Sequence, residues 1–271
     1  MVERDPDVES AAATVTDEPS GTGRYMYAVC RGLDAHALDG VEGLGGAPLA
    51  TVQHDELTAV VSTVMLSEFG EQPLRRHLED LAWLEPVVSK HDEVVRAISV
   101  SAPTAPLRLA TICFDDDAVG ARLREWYLPL MQALDRVDGR AEWSVKVVVS
   151  PRSEGSTDPE KPVLSGADYL RRKKEAAQGR VASESAAQEL ARSIHEDLSR
   201  RAVASRELPA QDARLSGRPG TMVLNAAYLV PDEAAEPFAA RIAEIAAGNP
   251  ELLVDGRGPW PPYSFAMLEQ R

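Results

Sequence analysis

Strand-like runs of apolar residues dominate the first third of the chain. Residues 25–30 (YMYAVC) are rich in side chains that favour strands, and a stretch punctuated by glycine follows them. Two further apolar runs, residues 48–53 and 57–63, are separated by only three polar residues. This pattern predicts a first strand followed by a β-hairpin.

The apolar period changes from two residues to three or four after Pro73. This change predicts helices. Because Pro86 lacks an amide hydrogen, we expect one helix to end near Glu85 and the next to carry the proline in its first turn. Residues 106–114 then predict a strand, and residues 115–134 predict one helix with an apolar face.

Strands and helices also alternate in the second half of the chain. The patterns predict a strand at 142–150, a long helix at 167–205, a weak edge strand at 206–215, a strong strand at 221–230, a helix capped by Asp232 and a short strand at 252–255. This order is the split βαβ arrangement of ferredoxin-like domains, in which two helices cover one face of an antiparallel sheet. The comparison concerns topology alone, because two cysteines cannot supply the four ligands of an iron–sulfur cluster.

These patterns predict an α+β fold of two domains. The predicted parts are a disordered acidic leader at 1–23, an N-terminal α+β domain at 24–138, a modified ferredoxin-like domain at 139–256 and a C-terminal docking tail at 257–271. The leader holds six acids and one arginine, with few apolar side chains to offset its chain entropy. Residues 151–165 carry three prolines and predict a mobile loop within the second domain.

The charge balance excludes two broad classes of partner. The chain has 29 Lys+Arg against 43 Asp+Glu, a formal net charge of −14. Nucleic acids and anionic membrane surfaces attract clustered cations, so this average charge argues against both. The N-terminus lacks an apolar secretory segment, and no run approaches the roughly 20 apolar residues of a membrane span. We therefore expect a cytoplasmic protein.

No residue pattern points to catalysis, a cofactor or a metal. The five histidines show no HExxH spacing, and the chain has no phosphate-binding glycine loop or nucleophile elbow. His91 is followed by two acids, but adjacent helical residues point about 100° apart and would not converge on one substrate. We predict that the protein is not an enzyme.

Two other groups of reactive residues have structural explanations. The acids from Asp115 to Asp117 are typical of a helix N-terminus, since a calcium loop starting there would have Trp126 in place of its twelfth-position glutamate. Cys30 and Cys113 lie in apolar strand-like runs, which predicts two buried thiols, with a redox pair as the alternative.

One helix is basic in this acidic chain. Residues 169–206 contain nine Lys or Arg against five Asp or Glu, and the centre of the cluster is Arg171, Arg172, Lys173 and Lys174. A solvated helix face explains such a cluster, and docking onto an acidic partner surface is the alternative.

The C-terminal segment concentrates the aromatic residues of an aromatic-poor chain. Residues 256–265 hold Trp260, Tyr263 and Phe265 together with three prolines. Prolines preset an extended backbone, so the rings can enter pockets with little loss of chain entropy. The tail is predicted either to clamp onto its own domains or to engage a separate protein.

Several segments, in this order along the chain, resemble a known family. They are YMYAVC at 25–30, HDEVVRAI and APLRLATICFDD between 91 and 117, RAEWSVKVVV at 140–149, MVLNAAYLV at 222–230 and GPWPPYSF at 258–265. Together they resemble the gas vesicle protein F/L family from about residue 25 to the end, and the Pro-Trp-Pro-Pro-Tyr run is the most specific of them. The chain departs from the family pattern in its long leader and at Ala110, where glycine is frequent.

The resemblance implies a function without known catalytic residues or cofactors. It implies a two-domain α+β accessory protein, with a modified ferredoxin-like second domain, that helps to build the gas-filled shells that make cells buoyant. The implied partner is the small, very hydrophobic major shell protein, with other accessory proteins as further candidates. The chain would aid assembly, prevent aggregation of that partner or stay as a minor vesicle component.

A small-molecule sensing or catalytic domain is the alternative function, because ferredoxin-like sheets often carry ligands on their open face. Such a site needs polar residues that converge on this face. Lys146 and Asn225 lie on predicted strands and are candidates, but a partly exposed sheet face explains both.

Overall fold

A computed structural model of the chain describes residues 21–34, 36–149, 166–210 and 220–266. Between 166 and 184 it describes the backbone, with side chains only at Arg171 and Lys174. The predicted leader up to residue 20 and the predicted loop at 151–165 lie outside the described residues. The first strand begins at Thr22, slightly earlier than the sequence pattern predicts.

The first half of the chain forms an antiparallel sheet with helices packed on it. Its elements are β1 (Thr22–Arg31), β2 (Leu49–His54), β3 (Leu57–Met65), α1 (Leu66–Phe69), α2 (Glu71–His77), α3 (Leu81–Ser101), β4 (Thr104–Pro106), β5 (Ile112–Cys113), α4 (Asp116–Glu125) and α5 (Tyr127–Val137). The strand order is β2-β3-β1-β4, and β5 also pairs with β1. The predicted hairpin is confirmed, because β2 and β3 pair from Leu49 opposite Ser62 to His54 opposite Leu57.

The predicted helix boundary near Glu85 is wrong. Helix α2 ends at His77 and α3 begins at Leu81, so Pro86 lies inside α3. Asp80 sets this start, because its side chain accepts a hydrogen bond of 2.9 Å from the amide of Ala82. A capping aspartate thus fixes the start of the helix. Pro86 removes one backbone hydrogen bond, but α3 continues beyond it.

The predicted single helix at 115–134 is instead two helices. Trp126, at φ −95° and ψ 9°, separates α4 from α5. Pro129 explains the break, because in one continuous helix its ring would clash with the carbonyl group of Glu125.

The predicted strand at 106–114 is interrupted by a turn. Only its two ends pair with β1, as β4 and β5. Between them Ala110 has a φ of 62°, and its amide donates a hydrogen bond of 3.1 Å to the buried hydroxyl of Tyr25. This left-handed backbone is the conformation that glycine favours.

The second half of the chain forms another antiparallel sheet. Its elements are β6 (Arg140–Val149), α6 (Gly166–Ser199), β7 (Ala204–Glu207), β8 (Thr221–Pro231), a 3-10 turn (Asp232–Ala234), α7 (Ala235–Gly248), β9 (Leu252–Trp260) and α8 (Tyr263–Ala266). The strand order is β7-β8-β6-β9, and every neighbouring pair is antiparallel. From β6 to β9, the order of strands and long helices is the one that the sequence predicts.

Four boundaries in this half differ from the prediction. The predicted cap at Asp232 is wrong, because Asp232 lies in the 3-10 turn and α7 begins at Ala235 without a side-chain cap. Helix α6 ends at Ser199, and β7 is finished before Pro209, whose missing amide hydrogen is unsuited to a strand interior. The rest of the predicted edge strand, residues 211–215, lies outside the described residues. Strand β9 runs on to Trp260, so the start of the predicted tail is part of the sheet.

A hydrophobic core connects the two halves of the chain. One face of the second sheet packs against α6 and α7 through residues such as Tyr228, Ile194 and Phe238. On the other face of β8, Ala227 and Leu229 belong to a cluster that also contains apolar residues of α5 and of the first sheet. Because these two residues join apolar side chains of both halves, we expect the halves to depend on each other for stability.

Truncation of this shared core should destabilise the chain as one unit. Leu229→Ala leaves a cavity at a fully buried position and should lower the free energy of unfolding by about 2–5 kcal/mol. Leu253→Ala, in the same sheet but 43% exposed, should change it by no more than about 0.5 kcal/mol. Urea unfolding followed by circular dichroism measures both variants. Equal stability losses would contradict the assignment of Leu229 to a shared core.

Candidate partner-binding site

The C-terminal tail is held between the two halves of the chain. After β9, Pro261 and Pro262 are buried, and α8 forms a single helical turn. The carbonyl group of Pro262 accepts hydrogen bonds from the amides of Phe265 and Ala266, at 3.1 and 2.9 Å. The prolines thus lead the chain directly into a turn that orients the following aromatic rings.

Phe265 lies in the shared hydrophobic core. It is 8% exposed and belongs to the same cluster as Leu229 of β8 and Leu134 of α5. Arg136 of α5 donates a hydrogen bond of 3.2 Å to the carbonyl group of Phe265. A predicted partner-binding ring is therefore placed inside the fold, where it contacts both halves.

Ser264 ties the tail to a buried carboxyl group of β6. Its amide and its hydroxyl each donate a hydrogen bond of 2.7 Å to the two oxygens of Glu142. Burial raises the pKa of Glu142, and the two bonds from Ser264 and the charge of Arg206 act in the opposite direction. Arg206 also donates a hydrogen bond of 3.3 Å to the carbonyl group of Ser264. The buried carboxyl group thus finds its partners in the tail.

Tyr263 faces a buried polar cluster of the first half. Its hydroxyl donates to Asp92 Oδ1 at 3.4 Å, and its ring centroid lies 6.5 Å from that of His91. A hydrogen bond of 3.0 Å joins His91 Nδ1 to the Tyr25 hydroxyl. Burial lowers the pKa of His91 to about 4, so its ring is neutral at pH 7.

Trp260 forms part of the wall of a cavity between the halves. The guanidinium carbon of Arg96 lies 4.1 Å from the indole centroid, and Arg96 Nε donates to Asp92 Oδ2 at 2.7 Å. The half-buried Trp260 thus contacts, on one side, the guanidinium group of Arg96, and Asp92 of the same helix α3 holds that group in place. Of the three tail rings, Trp260 is the one that lines the cavity.

The cavity has a volume of about 570 Å³ and a mixed lining. Apolar walls come from Val100, Pro103, Trp260 and Pro261, and Val100 is 89% exposed. Arg140 also lines it, but its guanidinium group donates to the carbonyl groups of Asp135 and Arg136 at the end of α5. Arg96 and Arg140, the cations of the lining, are engaged by the protein, and the cavity offers both apolar and polar surface to a visiting chain segment.

The basic cluster lies on a helix that is much longer than its sheet. Helix α6 has 34 residues, about 51 Å, whereas the ten residues of β6 span about 33 Å. Its described apolar contacts with the sheet lie in its last third, at Leu190, Ile194 and Leu198. Arg171 and Lys174 are exposed, and the side chains of Arg172 and Lys173 lie outside the described residues. The cluster therefore occupies a different element from the aromatic tail.

The polar candidates on the second sheet form a row across three strands. Lys146 of β6 lies opposite Asn225 of β8 on one side and opposite Asp255 of β9 on the other. Asn225 is buried, and its amide group donates a hydrogen bond of 2.7 Å to the carbonyl group of Pro209. Cross-strand pairing and this bond to the segment after β7 account for the position of these side chains.

The other reactive residues have structural roles in the described part of the chain. Cys30 and Cys113 are buried free thiols, as predicted, and burial raises the pKa of Cys30 to about 12. Asp115 Oδ1 accepts a hydrogen bond of 2.7 Å from the amide of Ala118, which confirms a helix N-terminus. Among the described residues, no three His, Cys, Asp or Glu side chains come close enough to bind a metal, and no helix is sufficiently long and apolar to cross a membrane.

The sequence patterns missed the residues that receive the tail. Glu142 and Arg96 stand alone in their local patterns, and the adjacent His91 and Asp92 were considered only as a possible catalytic cluster. The one available signal was Glu142, an acid next to Trp143 at the start of an apolar strand. Only the folded chain brings these residues to the tail.

Comparisons with known proteins agree on one family. Residues 23–267 match the family model described as "Gas vesicle synthesis protein GvpL/GvpF". Gas vesicle protein L of Streptomyces sp. (strain CB03234) is 42% identical over 91% of this chain and 94% of that protein. Gas vesicle protein F of the same strain is 26% identical over 89% of this chain and 98% of that protein.

Two solved structures have the same fold. The crystal structure of GvpF from Anabaena sp. PCC7120 covers 92% of this chain and 98% of its own, with a TM-score of 0.68 and 18% identity. That of GvpF from Microcystis aeruginosa covers 91% of this chain and 99% of its own, with a TM-score of 0.63 and 17% identity. At these identities the similarity shows a shared mixed α+β fold.

Removal of the buried Phe265 ring should make the chain less stable toward unfolding. Phe265→Ala should lower the free energy of unfolding by about 3–5 kcal/mol, because it leaves a cavity in the shared core. Phe114→Ala is a matched control, since the ring of Phe114 is 79% exposed and its loss should cost no more than about 0.5 kcal/mol. Thermal and urea unfolding measure the difference. A tail that only serves a partner would leave both variants as stable as the wild type.

His91 should make the chain sensitive to acid. The pKa is near 6.5 in the unfolded chain and about 4 in the folded one, so the unfolded state binds more protons between these values. The contribution of the neutral His91 ring to the free energy of unfolding is therefore complete above about pH 6.5. About 3 kcal/mol of it should be lost as the pH falls toward 4.

The measurement is the free energy of unfolding of the wild type and of His91→Asn across this pH window. The variant cannot titrate and should show a correspondingly flatter profile. His36→Asn, which removes an exposed histidine, is the control and should follow the wild type. Parallel profiles for His91→Asn and the wild type would refute this role of the buried ring.

Proposed function

Because the chain belongs to the gas vesicle synthesis protein GvpL/GvpF family, we propose that it is a non-enzymatic accessory protein of gas vesicle assembly that binds the major shell protein. The observation that carries this proposal is the family match, which extends over residues 23–267, nearly the entire described chain. Its proposed place of action is the cytoplasm, in association with gas vesicles.

The chemistry of the described residues supports a binding function. The titratable groups whose pKa values burial shifts, such as His91, Glu142 and Tyr25, are hydrogen-bonded to residues of the fold. Catalytic groups need access to a substrate in a cleft, and these groups lack it. A chain with a net charge of −14 can instead keep an aggregation-prone apolar partner in solution by covering its exposed surface.

We assign two surfaces to the partner. The first is the cavity lined by Trp260, Val100 and Pro261, which offers apolar surface to a segment of the shell protein. In this proposal Tyr263 and Phe265 serve binding indirectly, because they anchor the tail that positions Trp260. The second surface is the basic cluster of residues 171–174, which would meet acidic groups.

The proposal retains a two-domain organisation. Residues 24–138 would form one domain and residues 139–256 a modified ferredoxin-like domain, followed by the docking tail at 257–271. The strand order β7-β8-β6-β9, with α6 and α7 packed on one face, supports this assignment for the second domain.

Charge reversal on α6 tests the basic surface. The double variant Arg171→Glu/Lys174→Glu should bind the shell protein severalfold more weakly at low salt, and the difference should shrink as salt screens the interaction. Arg192→Glu/Arg200→Glu is the matched control, because it makes the same change in charge at two exposed positions near the other end of α6. Biolayer interferometry with purified shell protein at two salt concentrations measures the affinities.

The outcomes distinguish an error in the assignment of the basic surface from an error in the proposed function. If the wild type binds and both double variants bind equally well, the basic surface is wrong while the function stands. If the wild type fails to bind the shell protein at micromolar concentration, and vesicles form normally in cells that lack the chain, the proposed function is wrong.

A further inference from the structure

In the part of the chain that the structure describes, the strand β9 leaves a long backbone edge open. It pairs with β6 on one side, and among the described residues no strand pairs with its other side. At nine residues it is longer than β2, β4 or β7, the other strands at the sheet edges. An open edge of this length presents unpaired amide and carbonyl groups that can bind another strand.

The direction of the amides along β9 can be inferred from its first residue. The amide of Leu252 donates a hydrogen bond of 2.9 Å to the carbonyl group of Asn249, within the preceding turn, and so is turned away from β6. Amide directions alternate along a strand, and the pairing of β9 with β6 is regular from Leu252 to Arg257. Val254 and Gly256 therefore also direct their amides toward the open edge.

The side chains on this edge are complementary to themselves. Asp255 and Arg257 lie two residues apart on the face of the sheet opposite α7, with 3.2 Å between Asp255 Oδ1 and Arg257 Nε. If two antiparallel β9 strands meet with Gly256 opposite Gly256, then Asp255 of each strand lies opposite Arg257 of the other. This register has two-fold symmetry, as an isologous dimer requires.

We propose that β9 is a dimerisation edge that binds β9 of a second copy of this chain in antiparallel orientation, centred on Gly256. Mutual backbone hydrogen bonds at Gly256 and two Asp255–Arg257 pairs would join the two second sheets into one continuous sheet. Registers centred on Val254 or on Asp255 give no such pairs, and the latter places two aspartates opposite each other. The proposal is independent of shell-protein binding.

The net charge of the chain sets the conditions for the test. Two copies of charge −14 repel each other over long distances, but at about 0.15 M salt the Debye length is only ~8 Å. Under these conditions the repulsion is largely screened, while pairs in direct contact persist. Sedimentation velocity of the full chain at physiological salt, from low to high micromolar concentration, should show a monomer–dimer equilibrium.

Charge reversal should break this dimer and a mixture should restore it. Arg257→Glu places like charges opposite each other at both pairs and should raise the dimer dissociation constant about tenfold or more. Asp255→Lys should do the same. When the two variants are mixed, the introduced glutamate of one copy would face the introduced lysine of the other. The unchanged Asp255 and Arg257 would also face each other, so a mixed dimer should form.

The matched control is Arg200→Glu, which also reverses an exposed arginine that pairs with an aspartate. It should dimerise like the wild type. Thermal unfolding verifies that each variant is folded, and Arg257→Glu alone decides the question if Asp255→Lys does not fold. A wild type that stays monomeric at high micromolar concentration would overturn the proposal. So would a dimer that Arg257→Glu leaves intact.

Discussion

A sheet can bury apolar side chains on both faces only if something covers each face, and the second sheet meets this condition in two different ways. Helices α6 and α7 cover one face and are local in sequence. On the other face, Ala227 and Leu229 are buried in a cluster with residues of α5 and of the first sheet, and Phe265 belongs to the same cluster. The second half of the chain therefore cannot complete its core alone, and the tail belongs to that core.

The polar groups at this junction depend on the same arrangement. Glu142 is buried, and its carboxyl oxygens accept both of their short hydrogen bonds from Ser264 of the tail. A buried carboxyl group without such partners would destabilise the fold, because desolvation of an unpaired polar group costs about 1–3 kcal/mol. The half-buried Asp92 of α3 accepts hydrogen bonds from Arg96 and from the hydroxyl of Tyr263. Loss of the tail would thus remove apolar contacts and the hydrogen-bond donors of the buried Glu142.

Local patterns predicted the order of elements but not what depends on distant contacts. The hairpin of β2 and β3 and the sequence from β6 to β9 follow from apolar periods that a short window contains. The turn at Ala110 could not be predicted in this way, because it depends on the Tyr25 hydroxyl, 85 residues earlier in the chain. The same limit applies to the candidate site: the three rings of the tail are conspicuous in the sequence, whereas Glu142 and Arg96 acquire their roles only through folding.

One chain of contacts links the buried part of the tail to the ring that we propose for partner recognition. Trp260 stacks with Arg96, Arg96 pairs with Asp92, and Asp92 accepts the hydrogen bond of Tyr263, which leads into the buried Phe265. The indole ring at the cavity is therefore ordered before any partner arrives, so a partner would not have to meet the entropic cost of ordering it. The same coupling has a drawback, since a partner that displaced Trp260 would disturb the contacts that hold the two halves together. The cavity is accordingly suited to a segment that packs against the ring in its present position.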